Sequence, residues 1–351
     1  MMTLLKELTQ AEGTSGGEAS IRNILLRELK GMVDSVSVDP LGNLIAKKDG
    51  SLKNGPKIMI TAHMDEIGAQ VSSIQKNGLI SFLKIGFIDD RILPTRIVTI
   101  HTSSGDVDGV IGMPAPHLLT EAERQGTIPV DKLSIDIGAE SREEIAEYGI
   151  QVGDLISFKG QVFQLKNNIV LTKSVDDRVG ILVMIEVMKK LALNRPKATV
   201  FAVGTVQEEV GMRGAITAAF QVMPDVAFPL DVTAQDPTSE TIQLGKGPIL
   251  RLFELGAYGS GIIVPQDLRD FVVKVAKEKK IPYQMVARGG GRTEASEIHL
   301  VGKGIPSCAI EVPARYIHTV SELVKLDDID ATINLMTALI QNILDYIGRG
   351  S

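Results

Sequence analysis

Beyond residue 175 the sequence switches period repeatedly, and this constrains the fold more than any other feature. DDRVGILVMIEVMKKLAL repeats its apolar positions as a helix does, ATVFAVGTV reads as a short apolar strand, RGAITAAF is helical again and VAFPLDV is again a strand. VPQDLRDFVVKVAKEKK (helix), PYQMVA and PSCAIEV (strands) and LDDIDATINLMTALIQNILDYI (a closing helix) continue the series. Such alternation implies an α/β domain whose sheet is sandwiched by helices.

The first half has a different texture. MMTLLKELTQ reads as a helix, and EASIRNILLRELKGMV predicts a second one with Ile21, Leu25, Leu29 and Met32 on one face. AEGTSGGE between them is a Gly-rich loop, VSVDPLGNLIAKK a hairpin turning at Pro40 to Asn43, and PKIMITAHMDE a buried strand whose polar residues begin at His63. From about Val71 to about Leu165 short β-like runs (LISFLKI, RIVTIHT, GVIGM, DLISFKG) are separated by turns. Only TEAERQ and SREEIAEYG look helical there, so a small all-β module interrupts the α/β domain.

Composition narrows the function classes. The net charge of −6 argues against a nucleic-acid or anionic-membrane binder, and no apolar run approaches membrane-spanning length. Cys308 is the single cysteine and lies in the apolar run IPSCAIEV, as a packed core thiol would; a cytoplasmic location is expected. Trp is absent and aromatics make up 4%, a poor endowment for gripping sugars or unpaired bases.

Chemistry-bearing residues collect where apolar runs end. ITAHMDE supplies His63, Asp65 and Glu66; KSVDDRVG supplies Asp176 and Asp177; VQEEVG supplies Glu208 and Glu209; FPLDVTAQD supplies Asp231 and ARYIHTVSE supplies His318. Each has an ordinary structural explanation: paired acids before a helix act as N-cap and dipole partners, and a lone Asp after a strand starts a turn. His101, His117 and His299 fit such an ordinary role. The repeated placement at strand ends tells against it for the others, because converging acids and imidazoles are costly without a cation. Imidazole nitrogens and carboxylate oxygens suit Zn²⁺, Co²⁺ or Mn²⁺. In an extended HMD segment Asp65 would face the far nitrogen of His63 and fix its tautomer. In extended EE the side chains diverge, so one glutamate can hold metal while the other acts as general base. The residues alone favour a metallohydrolase.

AHMDEIG, DDRVG, VQEEVGMRGA, LDVTAQD and YIHTVSE, in that order, resemble the M42 family of dinuclear metalloaminopeptidases, with GVIGMPAPHLL and GKGPILR adding to the likeness. The resemblance implies a helix-sandwiched mixed sheet, formed by a catalytic domain at residues 1–69 and 166–351, and an inserted β-rich dimerisation domain at 70–165. It implies two divalent ions: His63 and Asp231 on one, Glu209 and His318 on the other, and Asp176 bridging both, followed by a cis peptide to Asp177. Glu208 would be the general base and Asp65 the carboxylate orienting His63. The implied substrates are peptides with a free N-terminus, whose α-amino group sits near one metal. The implied assembly is a homo-oligomer, a dimer or a tetrahedral dodecamer. GGGRTEAS departs from the family's usual ending TDA, so Arg292 and Glu294 bear on specificity, and Val320 replaces a frequent proline. The residue preference is open between acidic, aliphatic and basic. Two alternatives stand beside this reading. A glycoside hydrolase would need carboxylates on opposite sides of the bond rather than an adjacent pair. An inactive metal-stabilised assembly protein would lack a ligand or the base, and none is missing.

Overall fold

A computed structural model of the chain describes residues 1–121, 126–256 and 259–348. A twelve-stranded mixed sheet forms its centre. Its main path runs Ser35–Val38, Leu44–Lys48, Thr199–Thr205, Lys57–His63, Val226–Ala234, Ala309–Arg315, Glu322–Lys325, Ile169–Thr172 and Phe163–Gln164. The strands from Thr199–Thr205 to Ala309–Arg315 are mutually parallel, as βαβ connections require.

Strand alternation distributes the core to both sides. Ile58, Ile60 and Ala62 pack with the helices Met2–Gln10, Ala19–Leu29, Val175–Leu193, Gln266–Glu278 and Leu326–Gln341, whereas Met59 joins Ala215, Ala218 and Ile298 from the helices Arg213–Val222 and Ala295–Ile298. The α/β sandwich read from the sequence is therefore present. The helix Val175–Leu193 is buried on nearly all faces, which explains its almost uninterrupted apolar run.

The β-rich stretch closes into a barrel in the order Gly68–Ile74, Ile80–Ile85, Ile135–Asp136, Gly105–Ile111, Ile97–Thr102 and Leu155–Phe158, with its own core around Ile80, Val98, Ile100 and Ile156. We draw its boundaries by strand membership. Gly68 and Ala69 then belong to the barrel, and Phe163–Gln164, expected in the insertion, extends the large sheet.

Two helix ends differ from expectation. The second helix stops at Leu29, because Gly31 takes φ 77° and turns the chain; Met32 lies outside it. The closing helix breaks after Gln341, where the Asn342 amide turns back to the Ala338 carbonyl, and a short helix resumes at Leu344–Ile347. The SREEIAEYG helix is present as Arg142–Glu147, capped by Ser141, which accepts from the Glu144 N–H. The TEAERQ patch falls largely outside the described residues. Among the described residues no helix is long and apolar enough to cross a membrane.

Candidate active site

The sheet delivers His63 and Asp231 by register. His63 ends its strand opposite Thr205. Asp231 lies inside its strand, which runs on to Ala234: Val226–Ala234 pairs with the His63 strand only through Pro229, then with Ala309–Arg315, where Asp231 faces Glu311. The remaining groups sit on turns. Asp176 opens the buried helix with φ −79° and ψ 109°, outside helical geometry, and its bond to Asp177 is cis. Glu208 and Glu209 follow Gln207 (φ 56°), two residues beyond the end of the strand Thr199–Thr205, so they are not in extended chain. His318 lies in a left-handed turn at φ 60°.

These five chain segments converge. Oδ1 of Asp176 lies 2.9 Å from Nε2 of His63, and its other oxygen lies 3.4 Å from Nε2 of His318. His318 Nε2 is also 3.9 Å from Glu209 Oε2, and its Nδ1 donates to the Phe87 carbonyl at 2.9 Å, tying the turn to the barrel side. Of the three groups of side chains among the described residues that offer ligand atoms within 4.8 Å of one another, two lie in this pit: His63, Asp176 and Asp231, and Asp176, Glu209 and His318.

Asp65 is fully buried behind them. Its oxygens accept from Ser15 Oγ at 2.6 Å and from the backbone N–H groups of Glu208 (2.9 Å) and Glu209 (3.1 Å). Its carboxylate lies 3.6 Å from His63 Nδ1, which is closer to the Asp65 carbonyl at 3.1 Å. Asp65 thus faces the imidazole, as the spacing suggested, but its stronger contacts hold the two-glutamate loop. Neither Asp177 nor Glu66 joins the cluster. Asp177 accepts the Gly180 N–H, an ordinary helix-start contact, and Glu66 pairs with buried Lys173 at 2.5 Å.

The electrostatics are those of an acid-rich pit. Burial, and then the Asp176 and Asp177 carboxylates, push Asp231 well up; burial and Asp176 push Glu209 up to about 7. Burial likewise raises Glu208, opposed by His63 and reinforced by Glu209. Burial opposes protonation of both histidines, yet Asp176 and Asp65 hold His63 well above its usual range, and Asp176 with Glu209 carries His318 up to about 10. Carboxylates crowded in this way lack positive charge, and the mixed imidazole–carboxylate donor set fits divalent cations.

A cavity of about 790 Å³ opens over the pit. Its other wall is basic. Arg251, only 4% exposed, pairs with Glu311 at 3.1 Å and donates to Thr233 Oγ1 at 2.9 Å, while its Nη1 has no partner among the described residues. Arg288 reaches the same Thr233 hydroxyl at 3.4 Å. Burial and the Arg251 charge pushes Glu311 in opposite directions, the net result lying up at about 7. Arg292 lines the cavity and is pinned by Glu297 and Ser296 rather than free in solvent; Glu294 is buried away from the cavity surface. Sequence reading missed Arg251 and Arg288. A lone arginine in the apolar strand ILRLFEL was the available signal.

Of the residues given ordinary roles, Cys308 and His299 have them, whereas His101 stands with Glu12 and Asp106 in a third group of side chains that could hold a metal ion. Cys308 is buried in the core, which pushes its thiol up to about 12. His299 contacts the Ala295 carbonyl of its own helix, and His117 lies on the short turn Pro116–Leu118. His101 Nδ1 lies 2.9 Å from Asp106 and 3.0 Å from Glu12, a contact joining the barrel to the N-terminal loop.

Comparison with known proteins bears on what this cavity does. The sequence profile of a family described as M42 glutamyl aminopeptidase matches residues 42–335. The chain is 35% identical to lysyl aminopeptidase of Pyrococcus furiosus, covering 97% of this chain and 96% of that protein. It is 32% identical to glutamyl aminopeptidase of Lactococcus lactis, covering 97% and 95%. Among solved structures, the TET1 peptidase of Pyrococcus horikoshii, which can assemble into a tetrahedron or a large octahedral shell, superimposes with a TM-score of 0.87 at 37% identity over 97% of this chain and 98% of that one.

Proposed function

This chain belongs to the M42 glutamyl aminopeptidase family and is a metal-dependent aminopeptidase, and from that premise we propose how its residues perform the reaction and which peptides it takes. Family membership sets aside the glycoside hydrolase and the inactive assembly protein.

In this reading His63, Asp231 and Asp176 on one side and Asp176, Glu209 and His318 on the other would hold two divalent ions, Zn²⁺ or Co²⁺, with Mn²⁺ also allowed by the donors. One observation carries it: the two oxygens of Asp176 face the Nε2 atoms of two different histidines, 2.9 and 3.4 Å away. When bound, such ions supply positive charge that acidifies water and polarises a peptide carbonyl. Glu208 accepts the proton of the attacking water on its carboxylate and returns it to the leaving nitrogen; its burial raises its proton affinity, which suits a group that must both take and give. Asp65 keeps the Glu208 and Glu209 backbone in place and His63 oriented. The surplus of carboxylates favours a protonated α-amine, hence removal of the N-terminal residue.

The arginine wall supports an acidic side chain on that residue. Arg251 Nη1 is buried without a partner among the described residues and Arg288 stands beside it, so a glutamate or aspartate carboxylate would receive charge-assisted hydrogen bonds where a lysine would be repelled. Relatives named for lysine and for glutamate lie at similar identity, so the family alone does not decide this.

The exposed Leu83, Phe87, Ile97 and Leu118 on and beside the barrel support self-association through this module, and the tetrahedral relative supports a dodecamer as its higher form. A single buried cysteine suits the reducing cytoplasm.

Aminoacyl-anilides assayed on chelated protein, then after Zn²⁺ or Co²⁺ is restored, test the reading. Metal-restored cleavage of free-amine glutamyl and aspartyl substrates, with N-acetylated ones inert, is the expected result; restored cleavage of lysyl substrates alone would overturn the acidic preference. Light scattering checks the assembly.

A further inference from the structure

We propose that Glu322 is a positioning residue that locks the Asp176 and His318 turns together and so sets the affinity of the ion on the His318 side. The inference rests on the two-ion reading above.

Glu322 belongs to neither group of candidate ligands, although it is 2% exposed and stands among them. Its two oxygens point at backbone instead. Oε2 accepts the Asp176 N–H at 3.2 Å, and Oε1 accepts the Thr319 N–H at 3.4 Å, the residue after His318. One side chain therefore holds both segments that bring Asp176 and His318 to face each other.

Those segments need such a tie. Ser174 (φ 53°) and Asp176 (φ −79°, ψ 109°) depart from helix geometry, and Tyr316 and His318 both sit at φ 60°. Each turn has a local anchor, the Arg178 N–H donating to the Ser174 carbonyl and the Thr319 hydroxyl to the Tyr316 carbonyl, but neither of these bonds joins one turn to the other. Glu322 is held in the sheet ladder: it opens the strand Glu322–Lys325 and lies directly opposite Thr172, the last residue of the strand that leads into the Asp176 turn. The ladder places the carboxylate between the two turns, and the carboxylate transmits that order to them.

The chemistry also explains why an acid occupies the position. Two N–H donors converge from different directions, and a carboxylate offers an acceptor on each oxygen. An amide of equal size offers one acceptor and turns its NH₂ against the other N–H. Glu322 is buried beside Asp176, where a carboxylate is costly, so packing alone would favour an apolar residue here.

The test starts from the full-length metal-loaded protein, stripped with chelator and titrated with Co²⁺ while the visible absorption of the ion is followed. The unmodified chain is expected to take up two ions. Glu322→Ala is expected to weaken the ion on the His318 side by about 10–100-fold, as loss of outer carboxylate partners of metal sites does, and to weaken the other ion, which shares only Asp176, by less. Glu322→Gln should fall between the two, and His318→Ala should abolish the same ion. Unchanged affinity for both ions in Glu322→Gln and Glu322→Ala would overturn the positioning role. Failure of the unmodified chain to bind two ions would instead overturn the two-ion reading and the inference with it. Should Glu322→Ala fold poorly, the nearly isosteric Glu322→Gln decides: the rise in Tm caused by Co²⁺ must shrink relative to the unmodified chain, whereas a purely structural role would lower both melting curves equally.

Discussion

The two walls of the cavity are both charged and largely buried, but they are built on opposite terms. The acid wall crowds Asp176, Glu208, Glu209 and Asp231 around two imidazoles; these offset Asp176, but burial keeps Glu208, Glu209 and Asp231 pushed up in spite of them. The basic wall gives Glu311 to Arg251 and Glu297 to Arg292 as company, yet among the described residues it leaves Arg251 Nη1 unpartnered and Arg288 bonded to neutral oxygens. A wall short of cations is suited to hold metal, and a wall with cationic capacity to spare is suited to read an anionic substrate group. Chemistry and selectivity are therefore expected to fail separately when one wall is altered.

The largest separation should come from Glu208→Gln. Peptide turnover should fall by about 10²–10⁴-fold, the span typical of a lost general base, while Co²⁺ uptake stays intact. Equal loss of both would merge base and ligand roles and break the division within the acid wall. Next comes Asp65→Asn, which disturbs the His63 side and the two-glutamate loop together. Ion affinity should drop about 10–100-fold, measured by competition with a metallochromic indicator.

On the other wall, Arg288→Ala should lower kcat/KM for glutamyl-anilide by about 10–100-fold, the worth of one hydrogen bond to a charged group, and leave leucyl-anilide nearly unchanged. A parallel loss on both substrates would show that the wall shapes the acid side after all. The smallest effect concerns pH. Below about 7 Glu311 carries its proton and leaves Arg251 uncompensated; above it the carboxylate offsets one guanidinium. Preference for glutamyl over leucyl substrates should thus weaken a few-fold (about) as pH rises through that value, and Glu311→Gln should flatten the profile.

Much of this was legible from residues alone. The strand–helix alternation forecast a sheet covered on both faces, and Ile58, Met59 and Ile60 do alternate between its two sides. Residue types at the run ends forecast a cation site, because His, Asp and Glu in apolar surroundings have few other uses. Expectations failed where a local pattern was outweighed by backbone geometry. Met32 continues a helical face that Gly31 ends, and HMD and EE were read as extended chain although Asp65, Glu208 and Glu209 all lie past their strands.

What the sequence by itself determined is the chemical inventory and the layered fold, since both follow from properties of a residue and its near neighbours. Only the tertiary structure decided that Asp176 turns one oxygen to each histidine, that Arg251 and Arg288 meet at Thr233, and that Glu322 bridges two turns far apart in the chain. The reason is physical. Such contacts depend on the register between strands and on turns with positive φ, and a shift of one residue in either would send each side chain to another face.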